Sequence, residues 1–495
     1  MAEESSNENI RKLFDKIYRN AVILTKSNLD KVRCLALGFN INIDFITKVT
    51  KELLDKLILR NFSELKAEVE NLKLYEQKVI EKVDDLLVGM LRCMRFGIGD
   101  EWKITNRDVY EWINNNIKEE ERAIGGQVGI MANVASTLSL KQIIINAPVV
   151  PEIMAELLKE RIFVVRKHNN ELKLISPDAI ATPEKELIHW IFEFSKGFHV
   201  DLPNYSFTVP NSSRFIATYD PVNSKMIIDW AFSEYLKSYA DRIDAFVISG
   251  FQLLEANCEA QFYEEKVNIV KSIINTLKKK NSNAIVKYEL ASLSNLQLAD
   301  LIKNEILPYV DIISLNENEL YEVLKREVSS YKDHAEHSWY IIQALNDLFK
   351  ETTPNIGIHL HTFDVIVFYL NGSKSDEKVI QDTIYSSAFG TFITSVRAHL
   401  GREPTFNEIE KYLTGNPFVI KEETIAIING FKKHLKQAIS LKIGNVMFPV
   451  YITDDGNYVI ILPVYFVEKP KKTVGLGDTC SIGQLISFIG LMKKP

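Results

Sequence analysis

Cysteine is scarce: Cys34, Cys93, Cys258 and Cys480 are the only four in 495 residues, too widely spaced for a disulfide framework or a CxxC metal site. A reducing compartment fits that usage. No run of 18 apolar residues occurs, and Ala21 to Leu24 is too short for a signal core, so no membrane span or leader is expected and the cytoplasm is the default. An excess of one charge is also missing. With 59 Lys+Arg against 65 Asp+Glu, the formal charge of -6 gives no global attraction to nucleic acid or anionic lipid. Any phosphate site must therefore be built locally, and small-molecule ligands are the expected partners. The short runs Lys278 to Lys280 and Lys493-Lys494 are expected at solvated helix ends. Internal repeats and low-complexity tracts are absent.

What remains is an ordinary globular chain, 46% hydrophobic and 25% charged, long enough for a large domain plus a smaller one. Helical spacing runs from Glu4 to Leu29, and Arg33 to Phe45 turns β-like. Residues 46–121 read mainly as helices, with Leu53, Leu57, Leu65, Val69, Leu72, Ile80, Leu86 and Leu87 on their apolar faces. From Ala245 onward, apolar β-rich runs alternate with amphipathic helices, the pattern of a mostly parallel sheet covered on both faces. Residues 195–230 carry short alternating segments broken by Pro203, Pro210 and Pro221, which suggests an antiparallel lid piece. The expected fold is thus α/β, with a large domain from 1–44, 122–194 and 231–495 and a discontinuous α+β lid from 45–121 and 195–230.

The sharpest local signal is Thr473-Val474-Gly475-Leu476-Gly477-Asp478-Thr479, between a strand and a last apolar helix, Ile482 to Leu491. A glycine turn opening a helix converges amide N–H groups on one point, and the helix dipole adds positive potential, so an anion fits there. Asp478 at its mouth could take a hydroxyl proton during phosphoryl transfer, while the amides of Gly475, Leu476 and Gly477 stabilise the phosphoryl oxygens. The plainer reading is a tight turn at Gly477 and a helix-capping Asp478. No Lys-Ser/Thr pair follows the glycines, which excludes a Walker A loop.

Asn316 and Glu319 share a face at a helix start, a spacing that suits the water shell of Mg2+ and equally suits a capping box. Asn42 and Asp44 near the first strand, and Gly125, Gly126 and Gln127 ahead of a helix, could meet sugar hydroxyls; ordinary loop chemistry explains them as well.

Taken in order, these segments resemble the ADP-dependent glucokinase and phosphofructokinase family, archaeal sugar kinases of the ribokinase-like superfamily. The likeness rests on Asn42 to Asp44, Gly125 to Asn133, Ile188 to Phe194, Arg214 to Ala217, Ile248 to Gln252, Asn316 to Glu319, His359 to Thr362 and Thr473 to Thr479. It implies a ribokinase-like fold, ADP as phosphoryl donor, and a divalent cation such as Mg2+. Asp478 becomes the base, and Gly475 to Gly477 with Asp478 the anion hole. By the same resemblance Asn42, Asp44, Gly125, Gly126 and Gln127 bind sugar, Arg214 lies near phosphates, and Thr473, Val474 and Gly477 meet the nucleotide, with adenine against Val467 and Pro470. Glu289, Asn316, Glu319 and Asp478 form the metal set. Glu101, in a segment like the glucokinase lid, is the candidate for glucose hydroxyls. Fructose 6-phosphate is the expected acceptor, with glucose as a second substrate and a glucokinase alone as the alternative.

Two departures stand out. Lys287 occupies the place of a family histidine two residues before Glu289, where it could compete with a cation. Asn211 and Ser213 precede Arg214 where relatives tend to show arginine and asparagine, which weakens the expected hold on a sugar phosphate.

Overall fold

The computed structural model describes residues 2–57, 79–183, 187–202, 205–254, 259–293, 295–326, 333–415, 417–435 and 437–493. Leu65, Val69, Leu72, Pro203, Cys258 and Lys494 therefore lie outside the described residues. An N-terminal helix, Ala2–Asn28, leads into strand Cys34–Gly38 at the heart of a 12-stranded sheet. Strands Ala245–Ile248, Ile285–Glu289, Ile312–Leu315 and Gly357–His361 follow parallel on one side, and Gln142–Ile145 and Ile162–His168 on the other. Their near-continuous burial matches a sheet sandwiched between helices, as the apolar runs predict. Beyond His361 the sheet turns antiparallel through Val365–Leu370, Tyr458–Pro463, Val446–Ile452 and Gln437–Ile443.

At the N-terminal edge of the parallel strands, Asp244 accepts from the backbone N–H groups of Arg33 and Cys34, and Asp311 from that of Val286. Lys493 and Lys278 reach in to pair with these two buried carboxylates at 2.5 and 2.9 Å, so neither basic run is simply a solvated helix end.

A second sheet of six strands runs in the order Val79–Ile80, Asp100–Ile104, Ser213–Tyr219, Ile188–Phe194, Asn42–Lys48, Glu121–Gly125. Two expectations change here. Residues 46–121, expected as helices, contain strand Asp100–Ile104, whose polar sequence hides a strand that buries only Trp102 and Ile104. Strand Ile188–Phe194, expected with the large sheet, pairs instead with Asn42–Lys48 and Ser213–Tyr219. Its almost unbroken apolar sequence, buried on both faces, imitates a parallel-sheet strand.

Alternation with period 2 gives this smaller sheet two unlike faces. One carries Phe45, Trp102, Trp190, Phe192, Phe215 and Ala217, with Phe45 and Trp190 edge to face at 5.3 Å and Trp102 and Phe215 likewise at 5.4 Å. Helix Val83–Phe96 packs there so closely that a Cβ at Gly89 would sit 2.5 Å from the Phe215 ring. The other face carries Asp44, His189 and Thr218 in one register row, with Glu101 opposite Ile216 in the next. Polar groups so placed need a purpose that packing does not supply. Among the described residues no helix is long and apolar enough to cross a membrane.

Candidate active site

The terminal helix, Leu476–Met492, begins earlier than its apolar stretch suggests. Gly475 is its N-cap in the left-handed region at φ 71°, so Leu476, Gly477 and Asp478 form the first turn, where backbone N–H groups have no helical acceptor. A side chain is excluded at both glycines. A Cβ on Gly475 would lie 2.6 Å from Ile130 Cδ1, and one on Gly477 2.9 Å from His361 Cε1.

Around that turn the ends of parallel strands deliver an acidic set. Glu289, buried at the end of its strand, accepts from Ser481 Oγ and contacts His361 Nε2 at 3.2 Å. Asn316 caps helix Glu317–Val323: its side chain accepts from Glu319 N at 3.1 Å, while its own N–H and amide donate to the Glu319 carboxylate at 2.8 and 2.7 Å. The capping-box reading of this pair is thus realised.

Burial and the neighbouring charge of Glu289 push Asp478 up to about 7, with Arg397 and His361 pulling the other way. Burial, then the charges of Glu289 and Asp478, push Glu319 up to about 8. Burial opposes charge on Glu289 and His361, yet their mutual hydrogen bond and attraction outweigh it, lowering Glu289 and raising His361. The sequence's lysine does not enter this set directly. Lys287 is fully buried and donates to Ser481 O at 2.9 Å and Gln484 Oε1 at 3.1 Å, on the flank of the terminal helix, and burial lowers it to about 8.

Beside the turn lies a cleft of about 530 Å³. Asn316, His361, Thr473 and Gly477 line its polar end, and Ile366 and Val464 belong to its apolar wall. Val467 is partly buried against the core and Pro470 is exposed; neither lines this cleft. Val474 turns its carbonyl to Arg397.

The residues expected to meet the sugar gather at the polar face of the smaller sheet and the helix start beside it. Asn42 donates to Asp44 Oδ1 at 2.7 Å, and Asn42 pairs in register with Gly125, where a Cβ would sit 2.2 Å from that same carboxylate oxygen. Gly126 at φ 71° opens helix Gly126–Thr137 against Asn40. Gln127 donates to Leu290 O at 3.1 Å, tying this helix start to the strand that ends in Glu289. Glu101 accepts from Thr218 Oγ1 at 2.6 Å and faces His189 and Asp44. Burial raises the pKa of Asp44, opposed by His189, Asn42 and Lys472. Arg214 stands apart, on the same strand as Thr218 but roughly 13 Å along it at about 3.3 Å per residue.

One participant was missed in the sequence. His189, buried in the run Ile188 to Phe194, contacts Asp220 at 3.0 Å, and although burial opposes its charge, Asp220 raises it overall. A histidine alternating with apolar residues looks like a satisfied core side chain until the register sets it beside Asp44.

A larger sheet ending in a glycine turn at a helix start, beside a smaller sheet with one polar face, fits an α/β kinase. The conserved-region model described as ADP-specific Phosphofructokinase/Glucokinase matches residues 33–487, and the chain belongs to that family. An ADP-dependent glucose/glucosamine kinase of Pyrococcus abyssi is 27% identical over 97% of this chain and 99% of its own. An ADP-specific phosphofructokinase of Pyrococcus furiosus is 26% identical, over 94% of this chain and 99% of its own. Among solved structures, one described as the last common ancestor of ADP-dependent phosphofructokinases from Methanosarcinales superposes with a TM-score of 0.78 at 24% identity, covering 97% of this chain and 99% of that one. An ADP-dependent kinase complex with fructose-6-phosphate and ADPbetaS gives 0.78 at 23%, with the same coverage.

Proposed function

We infer that the chain transfers the β-phosphoryl group of ADP to fructose 6-phosphate, giving fructose 1,6-bisphosphate and AMP, and that it also phosphorylates glucose. The observation that carries this reading is the placement of Asp478 in the first turn of the terminal helix, next to free amides and a nucleotide-sized cleft. In the reaction, the accepting hydroxyl attacks phosphorus as Asp478 takes its proton, and the amides of Gly475 to Gly477 bind the phosphoryl oxygens. Asn42, Asp44, Gly125 and Gly126 orient the sugar, with Gln127 holding the start of their helix. Thr473 and Gly477 border the nucleotide. The apolar wall at Ile366 and Val464 is the better seat for adenine than Val467 and Pro470. The six-stranded sheet serves as the lid that excludes water. The buried free thiols Cys34, Cys93 and Cys480 are consistent with a cytoplasmic setting.

Among the described residues no three His, Cys, Asp or Glu side chains converge to hold a metal directly. The charge of Glu289 raises the pKa of Asp478 and Glu319, and that of Asp478 raises Glu319 further, a repulsion that a divalent cation held through water would relieve. Asn316 orients Glu319 for that role. Mg2+, when bound, neutralises phosphate charge. Lys287 hydrogen-bonds the terminal helix, while its charge still reaches Glu289.

A coupled assay crossing ADP and ATP with fructose 6-phosphate and glucose tests the reading. Turnover with ADP and either sugar supports it, and turnover with ATP alone overturns it.

Glucose as acceptor is favoured by Glu101, which Thr218 aims toward Asp44 and His189. Glu101→Ala is expected to cut kcat/KM for glucose by about 10-fold or more, roughly one lost charge-assisted hydrogen bond, with little effect on fructose 6-phosphate. Equal losses for both sugars would remove Glu101 as the discriminating residue.

The pKa of Asp478 sets a pH limb. The protonated carboxyl cannot accept a proton, so kcat/KM, which reports free-enzyme groups, is expected to rise with pH and reach half its plateau near 7. A profile flat from pH 5.5 to 8.5 would argue against Asp478 as base.

A further inference from the structure

Arg397 enters the chemistry above only through its charge on Asp478, yet it is 1% exposed and sits in the last turn of helix Glu377–Leu400, directly behind the glycine turn. Burying a guanidinium is costly unless its charge is paired and its donors are used. Glu403 supplies the charge, contacting Nη2 at 3.2 Å. Nη1 donates to the carbonyl of Val474 at 2.9 Å, and Nε has no partner among the described residues. The same guanidinium lies 3.1 Å from where a Cβ on Gly475 would be.

The segment entering the turn is fastened to this helix end more than once. Ala398 O, next to Arg397, accepts from Lys471 N at 2.8 Å. The two helices themselves meet through glycines: a Cβ on Gly390 would be 2.4 Å from Cys480 O, and one on Gly483 3.1 Å from Gly390 Cα. Helix Glu377–Leu400 is therefore a rigid backing for the terminal helix and its first turn.

The Val474 carbonyl and the Gly475 N–H belong to one planar peptide unit. A cationic donor on the oxygen draws electron density toward it and strengthens the N–H as a donor, the same cooperativity that polarises chains of hydrogen bonds. We propose that Arg397 is a positioning residue for phosphoryl transfer, fixing the 474–475 peptide through its carbonyl and polarising the Gly475 amide toward the transferring group. This rests on the reading of the glycine turn as the anion hole. Arg397 does not touch the substrate; it acts through the backbone, and its effect falls on the transition state, where phosphoryl charge is bound, more than on ground-state binding.

The test uses the full chain with Arg397→Lys, Arg397→Gln and Glu403→Gln, alongside Asp478→Ala, assayed with ADP and fructose 6-phosphate. ADP and sugar affinity and the fraction of binding-competent molecules come from calorimetry. Arg397→Gln keeps a donor but loses the charge, and its kcat per competent molecule is expected to fall about 10- to 100-fold with both affinities within about 3-fold of wild type. Arg397→Lys restores the charge and is expected within about 5-fold. Equal kcat per competent molecule in Arg397→Gln and wild type, whatever the thermal midpoint, would reduce Arg397 to a structural residue. Should Arg397→Gln fail to fold, Glu403→Gln and Arg397→Lys decide: unchanged kcat in both overturns the proposal, and a loss in Glu403→Gln that exceeds any loss of affinity upholds it. Turnover of Asp478→Ala within 10-fold of wild type would instead undo the underlying reading, whereas an Asp478→Ala slowed by about 10⁴-fold beside fully active Arg397 variants would refute this inference alone.

Discussion

Asp478→Ala is expected to lower turnover by about 10⁴-fold, on the order of 5 kcal/mol of transition-state stabilisation, while ADP and sugar still bind. The magnitude follows from position. The carboxylate is partly buried in the first turn of a helix that points free amides at the same spot, and the charges of Glu289, Arg397 and His361 all reach it. Its removal deletes the proton acceptor without filling the cleft or disturbing the caps, because none of the Asn316 or Gly475 contacts pass through it. Calorimetry of both ligands beside steady-state rates separates the outcomes. Turnover within 10-fold of wild type would assign the proton to another acceptor, and loss of ligand binding would assign Asp478 to affinity.

Gly475→Ala is expected to cost about 10²-fold in kcat and to lower the thermal midpoint by several degrees. Two penalties add. The left-handed φ of 71° costs an L side chain roughly 1–2 kcal/mol, and the new methyl would meet Ile130 Cδ1 at 2.6 Å. Relief of that clash moves the turn, and a displaced oxyanion donor is worth about 10²- to 10³-fold. Ile130 belongs to helix Gly126–Thr137, whose first residues we propose border the sugar, so the same variant is expected to raise the sugar KM. Normal kcat in a folded Gly475→Ala protein would mean that the turn's amides do not stabilise the reacting group.

The large sheet was legible because its strands are buried on both faces and read as unbroken apolar runs at 245–248, 285–289 and 312–315. The smaller sheet was not. Strand Asp100–Ile104 is too polar to stand out, and Ile188–Phe194 too apolar to be distinguished from a parallel core strand. Both errors have one cause: local sequence reports burial and not which sheet does the burying. The same limit applies to the site. The glycine turn announces itself because glycine most readily takes Gly475's φ of 71° and fits Gly477's proximity to His361. His189, Asp220 and Arg397 each look like single buried polar residues until strand register sets His189, with Asp220 on it, beside Asp44 and a helix end sets Arg397 behind the glycine turn. Lys287 taught the converse. Its position in the sequence put it beside the carboxylates, while its side chain is spent on Ser481 and Gln484.

The most direct test is a ³¹P NMR time course of the purified chain with Mg2+, ADP and fructose 6-phosphate. Fructose 1,6-bisphosphate and AMP are predicted to appear in equal amounts as ADP disappears, with no such product from Asp478→Ala. AMP released with inorganic phosphate and no sugar bisphosphate, or sugar bisphosphate formed from ATP but not from ADP, would contradict the account.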